Sequence, residues 1–367
     1  MRRDSFTSLL AIALFFPACA NAFWKVIDLG TLGGPESEAY SVNNNGQIVG
    51  WARHISGSAH ATLFDPSGRG NNIDLGTVGG GFSCATSINN SAQIVGLADN
   101  IRYYSRATLF DPTGNGINID LGTLGSMQSG ALSINDKKQI VGWAENQLRA
   151  YRATLFDPTG GGNNIDLGTL GGNESGANSI NNSEQIVGFA DDISDTFHAT
   201  LFDTSGKGNN INLDLLADSQ SVAYSINDNG QIVGFTWPAY GYVHATLFDP
   251  TGRGNNIDLG TLGGWSSEAW SINNRGQIVG WAERGIDELR ATLFDPTGNG
   301  NNIDLNTLID PACGWTLMWA YSINDYGWIV GWGMSPDSWE RAYLLIPEPT
   351  TIVLLGLGIL GIRKRRK

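Results

Sequence analysis

The Asn of a Ser-Ile-Asn or Ser-Val-Asn tripeptide stands at 43, 89, 135, 181, 227 and 273, a step of 46 residues, and again at 324. Four residues after each comes Gln, from Gln47 to Gln277, leading into Ile-Val-Gly; Trp328 takes its place in the seventh copy. Ten residues past that Gly stands His or Arg: His60, Arg106, Arg152, His198, His244, Arg290 and Arg341. Each opens a run like Ala-Thr-Leu-Phe-Asp, followed by a turn of the type Asp-Pro-Thr-Gly-x-Gly-Asn-Asn and a run like Asn-Ile-Asp-Leu-Gly-Thr-Leu. A unit this short cannot bury its apolar face alone, so the copies must pack on one another.

Within one copy the pattern predicts four short strands, near Ala39–Val42, Gln47–Trp51, His60–Phe64 and Ile73–Thr77. Asn and Gly between the first two tolerate positive φ and suit a hairpin. Pro at the start of the Asp-Pro turn bars ladder pairing there. Four antiparallel strands in 46 residues is the size of a propeller blade. The phase points the same way. The chain meets a fourth-strand sequence (Val26 to Thr31) before any first strand, and the seventh copy stops at its third strand, near Ala342 to Leu345. The expected fold is all-β: a seven-bladed β-propeller of 46-residue four-stranded repeats, closed by the N-terminal strand. Closure removes exposed sheet edges; the rival, an open β-solenoid, has no use for this phase.

The two ends read as addresses. Residues 1–22 have a basic start, an apolar stretch from Phe6 to Phe16 and an Ala-x-Ala site at Ala20 and Ala22, the parts of a signal peptide cut by signal peptidase. Phe16-Pro17-Ala18 ahead of Cys19 fits a lipoprotein site poorly. The propeller then spans residues 23–346. Residues 347–367 hold Pro347-Glu348-Pro349, an apolar segment from Thr350 to Ile362 and a basic cluster, Arg363 to Lys367. As helix the apolar segment reaches about 20 Å, short of the ~30 Å hydrocarbon core. The basic end should stay cytoplasmic and the body outside.

This three-part tail resembles the PEP-CTERM sorting signal over about the last 21 residues. The resemblance implies recognition of Pro347, Glu348 and Pro349 by an exosortase, transient inner-membrane anchoring, and export by a bacterium that makes exopolysaccharide. An ordinary C-terminal membrane anchor is the alternative. The units between about 25 and 345 also resemble the HAF repeat, through Ser-Ile-Asn, Gly-Gln-Ile-Val-Gly, Asp-Leu-Gly-Thr-Leu-Gly-Gly and His60-Ala61-Thr62, with Thr where the family name has Phe. That resemblance implies a surface or secreted protein and assigns no activity.

Charge narrows the partners. The chain has 22 Lys+Arg and 35 Asp+Glu; without the leader's two Arg and one Asp and the five basic tail residues, the body carries about −19. Such a body repels phosphate backbones, which argues against nucleic acid. Of three cysteines, Cys19 lies in the leader, and Cys84 and Cys313 lie in different repeats, where pairing is open.

Loops one-two and three-four should share one face and carry the repeated turns; loops two-three and four-one should share the other and vary between copies. Variable loops on a rigid scaffold are where recognition usually resides. The candidate ligand-binding residues are Tyr103, Tyr104, Trp237, Tyr240, Tyr242, Trp265, Trp315 and Trp319, the last two beside the only insertion. Their rings suit sugars, or packing between blades. The recurring His/Arg residues suit an acidic polysaccharide, or pairing with acids such as Asp65, Asp99, Glu145 or Asp191. The Asp-Pro turns offer oxygens to Ca²⁺, without the clustered Asp ligands of a calcium loop. No cofactor or metal site is otherwise expected, and no P-loop, HExxH or GxSxG motif is present. The function expected is an exported surface or exopolysaccharide-matrix propeller, structural or binding glycan or protein. The alternative is an extracellular carbohydrate-active hydrolase or lyase.

Overall fold

Each copy of the repeat folds as one four-stranded antiparallel sheet, and seven such sheets stand in a ring: the protein is a seven-bladed β-propeller. The computed structural model describes residues 24–214, 219–239 and 241–347; Ala20, Ala22, Tyr240, Glu348 and Pro349 lie outside the described residues. Blade one comprises Gly33–Val42, Ile48–His54, Ala59–Phe64 and Ile73–Asp74, from the channel outward. The first strand starts earlier than expected, because Gly33 pairs with His54 beyond a register shift. The fourth is shorter than expected. Leu75 makes one last bond to the third strand, its N–H donating to the Ala61 carbonyl at 2.9 Å, with its side chain buried between blades; Gly76, at φ +70°, then turns the chain away.

The glycine closing Gln-Ile-Val-Gly has a steric reason. A Cβ on Gly50 would stand 2.0 Å from the carbonyl oxygen of Glu38, and one on Gly188 would stand 1.9 Å from that of Gly176. Only glycine lets the first two strands close at the bulge opposite Ala39.

The core lies between blades. Val49, Ala61 and Leu75 of blade one pack on Ala85, Ile88, Ile94, Ala98 and Phe110 of blade two, all nearly or fully buried. Each large side chain so buried contributes roughly 1.5–3 kcal/mol, an upper estimate. The same cluster recurs around the ring, and Leu29, Val42, Ile48 and Phe64 meet Val330, Ala342 and Leu344 of blade seven.

The ring closes as the repeat phase requires. The N-terminal strand Lys25–Asp28 pairs antiparallel with the last strand, Glu340–Ile346, with Lys25 opposite Ile346 and Asp28 opposite Tyr343. The seventh copy's insertion, within Ile309 to Trp319, forms a short 3₁₀ turn, Pro311–Cys313, just after another at Leu305–Leu308. Cys84 is buried in blade two, Cys313 is half-buried, and both are free thiols. Among the described residues no helix is long and apolar enough to cross a membrane.

Candidate ligand site in the central channel

The first strand of every blade lines the channel, and its side chains alternate between two fates. One set is repeated without change. Ala39, Ala85, Ala131, Ala177, Ala223, Ala269 and Ala320 are all fully buried in the blades. Ser41 and its six counterparts each accept a hydrogen bond from the main-chain N–H of the next blade, ending with Val42 donating to Ser322 at 3.3 Å.

The other set breaks the repeat. At the positions of Tyr40, Thr86, Leu132, Asn178, Tyr224, Trp270 and Tyr321, three consecutive blades carry small or aliphatic residues and four consecutive blades carry aromatic rings. These residues and the serine ring line a cavity of about 490 Å³. Tyr224 stacks on Trp270 with ring centroids 4.3 Å apart; Trp270 meets Tyr321 edge-on at 5.2 Å, and Tyr321 meets Tyr40 at 4.9 Å. Trp319 completes the wall against Trp281 at 5.4 Å. Such edge-on and offset contacts hold aromatic walls in fixed geometry.

Two carboxyl groups, outside the residues that line the cavity, are hydrogen-bonded to the aromatic residues of this half. Glu268 accepts from the indole N–H of Trp270 at 3.0 Å and of Trp281 at 3.2 Å. Glu38 is hydrogen-bonded to Tyr40 and Tyr321. Burial pushes both carboxyls above the usual range, and these hydrogen bonds offset only part of it. Burial likewise pushes the Tyr40, Tyr224 and Tyr321 phenols up, which keeps them neutral. None of the residues lining the cavity is Lys, Arg or His.

Further along the channel the repeat returns in full. The side-chain amide of each Asn in the Asn43 series donates to the carbonyl of its counterpart in the next blade. Below it, Asp136, Asp228 and Asp325 each accept from two flanking Asn amides. This narrow mouth is a structural ring whose carboxylates are already occupied.

The aromatic residues singled out by sequence fall in several places. Tyr103 caps a blade-two loop at φ 60° and is 77% exposed, with Tyr104 half-buried beside it. Trp237 is exposed at a strand end. Tyr242 and Trp265 stack at 5.0 Å on the variable face, where Tyr242, Pro238, His244 and Asp258 line a cleft of about 450 Å³. Trp319 packs against the rings of Trp270, Trp281 and Tyr321 without lining the cavity itself. Trp315 packs edge-on against Tyr343 beside the core between blades six and seven, so its ring serves that core.

The recurring His/Arg residues bind acids, though not the ones expected. His60, Arg106, Arg152 and His244 pair with Asp74, Asp120, Asp166 and Asp258 on the fourth strand, at 2.8–3.2 Å. In blade four that acid is Asn212, and His198 turns instead to Asp192 at 3.4 Å. The Asp-Pro turns are likewise self-contained. Asp65 accepts from the Ser67 N–H and hydroxyl and from Asn71, and these donors lower its carboxyl to about 2. Asn72 then ties the turn to the Leu29 carbonyl of the preceding blade at 2.8 Å. Among the described residues no group of three His, Cys, Asp or Glu is placed to hold a metal ion.

Pro347 is buried where the last strand ends. The chain from this point is recognisable. Residues 345–367 match the PEP-CTERM protein-sorting motif. The motif marks the protein for export and membrane-associated sorting by an exosortase. Residues 210–335 match a family described as a protein of unknown function, DUF3466. No curated protein matches the chain. Among solved structures, a gluconolactonase of Xanthomonas campestris is similar at 10% identity over 88% of this chain and 89% of that one, with a TM-score of 0.43.

Sequence reasoning passed over Glu38, Glu268, Tyr40, Tyr224, Trp270 and Tyr321. The signal was present: once the copies are aligned at 46 residues, alternate positions of the first strand are invariant and the ones between are not.

Proposed function

We propose that this exported, exosortase-sorted propeller is a glycan-binding component of the cell surface or exopolysaccharide matrix, holding a neutral or amino-bearing sugar unit in the aromatic half of its channel. The observation that carries this reading is the local failure of a strict repeat. Four adjacent blades replace small channel residues with Tyr224, Trp270, Tyr321 and Tyr40, and two carboxyl groups are hydrogen-bonded to these rings. Aromatic faces take the C–H face of a pyranose, and carboxyl oxygens accept from sugar hydroxyls or an amino group. The absence of cations from the lining disfavours an acidic polysaccharide. The HAF resemblance and the sorting motif both suit a protein working outside the cell.

A second reading, a carbohydrate-active hydrolase or lyase, draws on Glu38 and Glu268, because a general acid needs a carboxyl held above its usual range. A glycan array, followed by calorimetry and a reducing-end assay, separates the two. Binding without turnover, weakened at least about tenfold (about 1.4 kcal/mol) by Trp270→Ala, supports the binding role. Turnover abolished by Glu38→Gln or Glu268→Gln supports the enzyme. Binding lost in Trp265→Ala and kept in Trp270→Ala moves the site to the rim cleft, and no binding to any glycan leaves a structural role.

A further inference from the structure

The sorting tail leaves the propeller at one definite place. The last strand runs toward the narrow mouth, and Pro347 lies against the turn between the first two strands of blade seven, 3.6 Å from where a Cβ on Gly327 would stand. The start of the body is at the same corner, since Lys25 is the Cα partner of Ile346 and is exposed.

That turn is also where blade seven departs from the other six. Asn45, Ser91, Lys137, Ser183, Asn229 and Arg275 occupy one of its positions in blades one to six, and blade seven has Tyr326. Gln occupies the next variable position six times, and blade seven has Trp328. Tyr326 is 56% exposed. With Trp328, Arg275 and Asn45 it lines a groove of about 450 Å³. Two aromatic rings and two cations, Lys25 and Arg275, thus gather around the exit of the tail. The inner ring of this face carries Asp136, Asp228 and, next to Tyr326, Asp325; its turns carry an outer Asp in each of blades one to six and the cations Arg69, Lys137, Lys138, Lys207 and Arg253.

We infer that the Tyr326–Trp328 corner of blade seven is a membrane-interface contact, which seats the narrow-mouth face on the bilayer holding the tail and turns the opposite, variable face toward the outside. This rests on the sorting-tail reading. Distance supports it: Thr350, where the apolar segment begins, is the third residue after Pro347, so the body stands within about 10 Å of that point. The polar zone on each side of the hydrocarbon core is about 5–8 Å deep, and Trp, Tyr, Lys and Arg are the residues that settle there. Anionic lipid attracts Lys25 and Arg275 beside the two rings, which centres the contact on the exit of the tail.

The test uses the full chain with Cys19, Cys84 and Cys313 changed to Ala. A fluorophore is placed on Asn45→Cys, in the groove, or on Ile101→Cys, an exposed site on the variable face. The chain is reconstituted in phosphatidylethanolamine–phosphatidylglycerol vesicles that include a spin-labelled lipid. Quenching several-fold stronger at 45 than at 101 is expected. Tyr326→Asn with Trp328→Gln, which restores residues used by other copies, should lower quenching at 45 while the chain still floats with the vesicles. Floating with equal quenching at both sites overturns the orientation alone. Failure to float overturns the tail reading and the orientation with it. Shielding of the 45 label in native membranes but not in pure lipid also overturns it, and assigns the corner to a protein partner.

Discussion

The side-chain amide of Asn324 donates to the main-chain carbonyl of Asn43 at 3.0 Å, across 281 residues of sequence. It is the seventh of seven such bonds, and it joins the last blade to the first. Both groups are buried; removing the side chain takes this bond from the Asn43 carbonyl, which keeps only the Gly46 N–H, and leaves the Tyr326 and Trp328 N–H groups without their acceptor. Asn324→Ala should cost about 1–3 kcal/mol in urea unfolding, and Asn181→Ala, its counterpart inside the ring, about the same. Equal costs would mean that the closing junction is built like every other.

Gly188→Ala should be far more costly than its size suggests. The new methyl would fall 1.9 Å from the Gly176 carbonyl oxygen, a main-chain atom held by the ladder. A loss of about 1–3 kcal/mol or more is expected from thermal melts. Gly81→Ala, where a methyl meets open space, should change little.

The His244–Asp258 pair should be visible in pH titration. Asp258 raises the His244 imidazolium above its usual range, and His244 lowers Asp258. A raised histidine pKa adds stability that is complete below the unfolded value, near 6.5, and fades as pH rises through the folded one. A lowered carboxyl adds stability above its unfolded value that is lost on acidification. The wild-type advantage over His244→Gln should therefore peak between the carboxylate range and about pH 6.5. Histidine NMR and melts across pH read both effects; a flat difference would remove the pair as its source.

Glu268→Gln should separate stability from binding. Burial raises the Glu268 carboxyl, so ionisation favours the unfolded chain as pH rises past the ordinary glutamate value. The amide carries no such cost, and its oxygen can still accept from Trp270 and Trp281. The variant should melt higher than wild type at neutral pH, match it in acid, and bind the sugar ligand less tightly if the carboxyl accepts from it. An unchanged melting difference across pH would show that Glu268 is not the titrating group.

Much of this architecture was legible because a strict period leaves few readings. Four strand-like runs per copy, the displaced fourth strand at Val26 and the missing one after Leu345 together imply a ring. The outer salt bridges were legible too, though missed: His60, Arg106, Arg152 and His244 are each followed by Asp 14 residues on, and His198 by Asn212. Strand lengths were not. Whether Gly33 joins the ladder depends on His54 standing opposite, and where the fourth strand ends depends on the chain turning at Gly76 once Leu75 is buried between blades.

The sequence by itself determined the number of blades, the strands within each, the closing strand and the sorting tail, because these are properties of a single copy or of the order of copies. Only the tertiary structure decided which departures from the repeat act together. Tyr40 and Tyr321 belong to the first and last copies, yet their rings meet at 4.9 Å. Closing the ring makes blades five, six, seven and one consecutive, and so turns four scattered substitutions into one aromatic wall, with Glu38 and Glu268 hydrogen-bonded to it. Neighbourhood around a circle is set by the contact between its two ends, and that contact exists only in the folded chain.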